Sequence, residues 1–328
     1  MIGAGRLSRN NTEFLLDNLV WFILLVVLIV CSFGIDQFFQ VGIFVNIARQ
    51  ATFVGILSVG LSLTIIAGHM DLSVESVMAF SAMLAAYLVG SNGGLGLDIP
   101  VWSTLILCML FDAVVGVVNG VLVHGLKINA FIVTLAAFIG VRGLGLVLTG
   151  GRAVFGLPDG FRLLASYEVL RVPVLVWTLL AIYGLFHVVL TRLRLGRYIY
   201  MIGGNVTAPF RAGIGVGRVV VGVFVLSGVL AAAAGWLLAA RTNGATANLG
   251  TGMLFEAFAA VVIGGVSLTG GVGRLSGVFA GVLLLSTIDT AINVMALPPH
   301  YMQVIRGGLV LAAVLMDSAK VALRKRFL

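Results

Sequence analysis

Ten apolar runs, each near the length that crosses a hydrocarbon core, follow one another along this chain with only short polar breaks. A helix needs roughly 20 apolar residues for such a crossing. The runs cover approximately Leu16 to Phe33, Ala51 to Ala67, Leu72 to Val89, Val101 to Val123, Ile128 to Leu148, Val172 to Leu190, Val219 to Ala240, Thr251 to Leu268, Leu275 to Ala296 and Met302 to Met316. The eighth and tenth are short, as re-entrant or broken helices are. Composition agrees, because 60% hydrophobic and 10% charged residues leave too little polar side chain to clothe a water-facing globule of 328 residues. Backbone amides in lipid must be satisfied within their own segment, and the alternation of a membrane barrel is absent. The expected fold is therefore an all-α polytopic membrane protein with about ten transmembrane helices, some of them broken.

Basic residues set the orientation. With a cytoplasmic N-terminus, the inner segments hold Arg6, Arg9, Lys127, Arg192, Arg194, Arg197, Arg211, Arg218, Arg274, Lys320, Arg324, Lys325 and Arg326. The outer segments hold Arg49, Arg152, Arg162, Arg171 and Arg241. This bias of thirteen to five places both termini in the cytoplasm. The net charge of +8 then reads as topology and as contact with anionic lipid headgroups. No face gathers that charge beside aromatic stacking residues, so no nucleic-acid partner is expected.

The first apolar run follows Arg6 and Arg9 but has no convincing small-residue cleavage site after it, and nine more spans follow; it reads as an uncleaved anchor. Cys31 and Cys108 lie inside apolar spans, where they read as small hydrophobes. The chain carries 43 glycines. Gly116-x-x-x-Gly120, Gly273-x-x-x-Gly277 and Gly277-x-x-x-Gly281 have the small-residue spacing that brings membrane helices close together.

Enzyme signatures are missing. His69, His124, His187 and His300 are scattered without metal-ligand spacing, and neither H-E-x-x-H nor G-x-S-x-G occurs. The three lysines, Lys127, Lys320 and Lys325, do not follow glycine, so the phosphate-cradling G-x-x-x-x-G-K-[ST] loop is not present. If transport uses ATP, another chain binds it. A secondary carrier would instead place coupling charges inside the membrane. Asp71, Glu75, Asp112, Arg142, Glu256, Asp289 and Arg306 are the ionisable residues available, most of them near span ends, where capping or snorkelling explains them.

The segment Gly68-His69-Met70-Asp71-Leu72-Ser73-Val74-Glu75-Ser76 puts two carboxylates between two apolar runs. Asp71 stands where a helix starts, so its carboxylate reads as a cap on first-turn amides or as a group acting directly in gating or solute passage. Glu75, one turn on, lies within reach of the same positive helix end. An echo of this region appears downstream: "IIAGHMDLSVESVMAFSAML" precedes the arginine of "VRGLGLVLTG", as "VVIGGVSLTGGVGRLSGVFAGVLLL" precedes that of "IRGGLVLAAVLMD". Their order fits two pseudo-repeated halves with a pathway between them.

The ordered motifs "GHMDLSVESV", "NGVLVHGLKINAFIVTLAAFIGVRGLGLVLTGG", "LGRYIYMIGGN", "GIGVGRV", "FEAFAAVVIGGVSLTGGVGRLSG" and "HYMQVIRGGLVLAAVLMD" span about Val45 to Asp317. In that order and spacing the chain resembles the permease subunit of ribose-type ABC sugar importers, within the branched-chain amino acid and ribose permease superfamily. The resemblance implies residence in a bacterial inner membrane and pairing with a second permease copy or a sister permease. It also implies a cytoplasmic ABC ATPase that carries ATP and Mg, with no cofactor in this chain, and a periplasmic sugar-binding protein. By the same resemblance the transmembrane permease domain is 16–317, between a cytoplasmic N-terminal segment at 1–15 and a basic tail at 318–328. Residues 195–218 form the ATPase-docking loop, with Arg197, Asn205, Thr207, Pro209, Arg211 and Gly213 as its candidate contacts.

Sugars are neutral and polyhydroxylated, so a polar corridor without charge suits them. Asn119, Asn293, Tyr301 and Gln303 offer such donors and acceptors, beside Asp71 and Ser73 as gating or pathway candidates; interhelical hydrogen bonding is the alternative role for each. The chain departs from the family's usual Gly-Gly-Ile-Asp-Leu-Ser-Val-Gly-Ser at His69 and Glu75. It also has Val206-Thr207-Ala208-Pro209 where Glu-Ala-Ala is usual. An ion-coupled carrier, a permease for a branched-chain amino acid or nucleoside, and a structural membrane scaffold stand as alternatives.

Overall fold

Long stretches of leucine, valine, isoleucine and alanine without internal proline close their backbone hydrogen bonds helically, and helices dominate the computed structural model. It describes residues 18–205 and 207–296 and seven positions between 301 and 315. The helices are α1 (Leu19–Gly34), α2 (Val41–Ile66), α3 (Val74–Val89), α4 (Val101–His124), α5 (Ala130–Thr149), α6 (Asp159–Ser166), α7 (Val174–Arg192), α8 (Arg194–Gly204), α9 (Thr207–Arg211), α10 (Val216–Thr242), α11 (Met253–Ile263) and α12 (Leu275–Val294). Four two-residue strands, β1 (Val154–Phe155), β2 (Glu168–Val169), β3 (Val172–Pro173) and β4 (Gly244–Ala245), pair antiparallel as β1 with β4 and β2 with β3. The N-terminal segment, the basic tail, Gln303 and most of the tenth apolar run lie outside the described residues.

Among the described residues, six helices, α2, α4, α5, α7, α10 and α12, are long and apolar enough to cross a membrane, and α1, α3 and α11 are shorter apolar helices. At about 1.5 Å per residue, the 11 residues of α11 reach only about half of a roughly 30 Å hydrocarbon core. The eighth apolar run thus contains a short helix, and residues 264–274 follow it without helical structure. The second helix, conversely, starts ten residues before its apolar run. Asn46, Arg49 and Gln50 lower the hydropathy there without breaking the helix. Arg49 pairs with Glu168 at 2.7 Å, and Gln50 donates to Asp289 at 3.2 Å.

Helices α2 and α10 form the centre. The apolar stretch of α2 is 89% buried, whereas that of α5 is 22% buried and presents its outer face to the surroundings. Close approach at the centre depends on small residues. A methyl group at Gly235 of α10 would strike the Met78 carbonyl of α3, and one at Gly228 would strike the Asp112 carbonyl of α4. Gly116 and Gly120 of α4 lie against the α10 backbone at Phe224 and Val221, while Gly277 and Gly281 of α12 lie against Gly264 and Ala260. The Gly116/Gly120 and Gly277/Gly281 spacings therefore mark close helix approaches, whereas Gly273 lies in the link before α12 and packs on Val266 and Ile66.

The α2–α3 link turns inside this bundle. Gly60 abuts Ser227 on the way along α2, and Asp71 returns to the same residue with a 2.8 Å hydrogen bond. Ser227 is close to the middle of the 27-residue α10, so α3 begins at mid-height rather than at the bundle's end.

Candidate functional site

Three of the residues singled out in the sequence meet at that mid-height turn. Asp71 Oδ1 accepts the Ser73 backbone amide at 3.0 Å and the Ser73 hydroxyl at 2.5 Å, and Asp71 Oδ2 accepts the Ser227 hydroxyl. Asn119 of α4 donates through Nδ2 to Ser73 Oγ at 3.2 Å. All four side chains are buried. The carboxylate thus organises the turn before α3 and also ties it to α10, while Asn119 adds α4. Thr134 of α5 completes the enclosure by donating to the Met70 carbonyl at 3.3 Å. Asn293, in the last turn of α12, and Tyr301 are both exposed and lie outside this network, and Gln303 falls outside the described residues.

Glu75 has a different partner from the one its position suggested. It lies in the first turn of α3, yet its Oε2 accepts the amides of Gly252 and Leu254 at 3.0 and 3.1 Å, at the start of α11. Its Oε1 is 3.5 Å from Arg142 Nη2, which also donates to Thr251 Oγ1 at 3.0 Å. The Arg142 guanidinium lies over the Phe138 ring at 5.4 Å. A buried carboxylate here satisfies otherwise open first-turn amides of a short helix, and Arg142 supplies the opposite charge. A third buried acid, Asp112, accepts a short hydrogen bond from Ser81, whose carbonyl faces the Cys108 thiol at 3.4 Å.

Beside the Asp71 network, a cavity of about 670 Å³ extends from the α2–α3 link to the end of the bundle where α4 stops and α10 begins. His69, His124, Lys127 and Asn129 line it together with apolar side chains such as Phe131 and Phe258. His69 and His124 are far apart in sequence and looked scattered there; the fold brings them to one space.

The segment 195–218 contains α8, α9 and the start of α10. Ile199 and Ile202 of α8 are buried, Tyr200 donates to the Gly273 carbonyl at 2.8 Å, and Arg197 points outward. Asn205 Oδ1 accepts the Thr207 amide and hydroxyl at 2.9 and 2.7 Å and so opens α9. Pro209 falls in the first turn of α9, where its missing amide costs no helical bond, and it is buried; Arg211 is exposed. Gly213 leaves the helix at φ +73°, a conformation that glycine adopts without strain.

The same segment touches two other links by backbone alone. Gly271 donates its amide to the Ile66 carbonyl at 2.8 Å, and a methyl group at Gly203 would overlap that carbonyl oxygen. A methyl group at Gly270 would sit 3.0 Å from Gly68 Cα. The end of α2, the end of α8 and the α11–α12 link therefore share one side-chain-free junction.

A family model described as "branched-chain amino acid transport system / permease component" matches residues 43–314. The chain is 33% identical over 322 residues to the ribose import permease protein of Haemophilus influenzae, covering 95% of this chain and 98% of that one. It is 36% identical over 301 residues to the ribose import permease protein of Bacillus subtilis, covering 91% and 92%. It is 33% identical over 293 residues to the D-allose transport system permease protein of Escherichia coli, covering 89% and 88%. No solved structure matches.

Proposed function

The chain belongs to the permease-component family of branched-chain amino acid transport systems, and on that premise we propose that it forms the membrane pathway of an ATP-driven importer for a monosaccharide. It is a transport component rather than an enzyme. The observation that carries the sugar reading is the near end-to-end similarity to permeases named for ribose, and similarity over nine-tenths of the chain to one named for allose. The neutral hydroxyl and amide groups of Ser73, Ser227 and Asn119, gathered at mid-height, suit a solute that carries many hydroxyls and no charge.

The finer arrangement follows from the same reading. The subunit has about ten membrane helices in two pseudo-repeated halves, one built around the α2–α3 link and the other around α11–α12, with both termini cytoplasmic. It pairs with a second permease copy or a sister permease, and a periplasmic binding protein delivers the sugar. A separate ATPase holds ATP and Mg and docks on α8 and α9, whose outward Arg197 and Arg211 favour an acidic partner surface. The Gly68, Gly203 and Gly271 junction supports this assignment, since a push on α8 would reach both breaks without an intervening side chain.

Reconstitution into vesicles tests the proposal. Uptake of a pentose or hexose should require the ATPase, ATP and the binding protein together. Accumulation by this chain alone under a proton or sodium gradient would replace the proposal with an ion-coupled carrier, and ATP-dependent uptake of leucine or a nucleoside instead of sugars would replace the substrate class.

A further inference from the structure

The cavity between α4, α5, α10 and the α2–α3 link has a composition that its neighbours do not explain. Two imidazoles, His69 and His124, and the Lys127 ammonium line it, with no carboxylate among the described residues of its wall. No ion pair between any of these three and a described acid exists in the structure. Lys127 stands at φ +55° in the tight α4–α5 link, which holds its backbone at the mouth. The rest of the wall is largely apolar. Outside the mouth, α4 and α5 continue as exposed apolar faces, with Val121 at 49% and Ile132 at 61% exposure.

We propose that this cavity binds the phosphate of an anionic phospholipid, with the headgroup held by Lys127, His124 and His69 and the first acyl carbons lying over Ile128 and Phe131. Lys127 supplies the positive charge and the two imidazoles supply N–H donors, a set that selects an anion. The open apolar flank selects an amphiphile over a free ion, because inorganic phosphate would fill a small part of 670 Å³ and leave the hydrophobic wall wet. Basic pockets between membrane helices at a bilayer surface are suited to such headgroups on general grounds. The site depends on the chain lying in a bilayer and not on which solute it carries. Its position has a consequence for transport: His69 belongs to the α2–α3 link, and its ring lies 6.0 Å from that of Phe224 on α10. A bound headgroup would brace the link that carries Asp71.

The test uses the full-length chain, exchanged into nanodiscs of phosphatidylcholine alone or phosphatidylcholine mixed with phosphatidylglycerol, with tightly retained lipid read by native mass spectrometry. Wild-type protein should retain phosphatidylglycerol in preference. Lys127→Gln should retain about fivefold less, the equivalent of one surface cation. Lys127→Arg, which keeps the charge, should behave as wild type, and so should Arg152→Gln at the opposite end of the bundle. Thermal melting in phosphatidylcholine alone should be the same for wild type and Lys127→Gln, which separates a binding defect from a folding defect. Equal retention of the two lipids by wild type would overturn the proposal. So would undiminished phosphatidylglycerol retention by Lys127→Gln, or inorganic phosphate protecting the detergent-solubilised chain as well as phosphatidylglycerol does.

Discussion

Glu75 in the first turn of α3 accepts the backbone amide of Leu254 in the first turn of α11 at 3.1 Å, so the start of one short helix caps the start of another. Two positive helix ends thereby share one buried carboxylate, and Arg142 balances it from α5.

Removing that carboxylate should loosen α11. Glu75→Leu leaves the Gly252 and Leu254 amides open and should cost about 1–3 kcal/mol in stability. Glu75→Gln keeps one acceptor and should cost less. Combining Glu75→Leu with Arg142→Leu should cost less than the sum of the single changes, because the guanidinium no longer lacks its partner. Thermal unfolding of the four proteins measures the coupling, and strictly additive costs would show that the 3.5 Å pair contributes nothing.

At Asp71 the shape of the side chain matters more than its charge. Asp71→Asn retains an oxygen for the Ser73 amide and offers its amide group to the Ser227 hydroxyl, so folding and much of the transport should survive. Asp71→Leu strands three donors in a buried turn and should lose about 1–3 kcal/mol. If Asn abolishes uptake in a protein that melts as wild type does, the carboxylate acts in transport beyond organising the turn.

The glycine junction predicts a separation of hydrolysis from uptake. Gly203→Ala forces a methyl group into the Ile66 carbonyl, and the backbones must part; overpacking of this kind costs about 1–3 kcal/mol. In the assembled importer, ATP hydrolysis should continue while uptake falls. Gly204→Ala meets no atom within 4 Å and serves as the matched control. Equal, normal uptake by both variants would remove the junction from the coupling route.

Arg211→Glu reverses an exposed charge on α9 without touching the bundle. Recovery of the ATPase in pull-downs should drop, uptake should fall with it, and insertion should be unchanged. One exposed ion pair contributes only about 0–1 kcal/mol, so the loss should be partial and should shrink further at high salt. Unchanged recovery together with normal coupled uptake would mean that Arg211 is not a docking contact.

The membrane fold is legible in the chain because hydropathy is a local property: each apolar run needs only its own residues to be recognised. Helix boundaries are less so. The extension of α2 back to Val41 depends on Glu168 and Asp289, which take up Arg49 and Gln50 from distant segments. The start of α11 is likewise held by Glu75, which stands 179 residues before Leu254. A carboxylate between apolar runs drew attention to Asp71, and neutral polarity inside a span to Asn119, while Ser227, 156 residues from Asp71, carried no signal of its own among many serines.

By itself the sequence determined the solvent in which the chain folds, the number and rough limits of its apolar segments, and the glycines at which helices cross. These follow from transfer free energies and from the size of side chains, which each residue brings with it wherever it lies. Only the tertiary structure decided which polar groups meet: Asp71 with Ser227, Glu75 with the start of α11, His69 with His124, and Gly203 with Ile66. A buried donor or acceptor is satisfied by whatever the packing brings within about 3 Å, and helix packing sets that neighbour through crossings far apart in the chain.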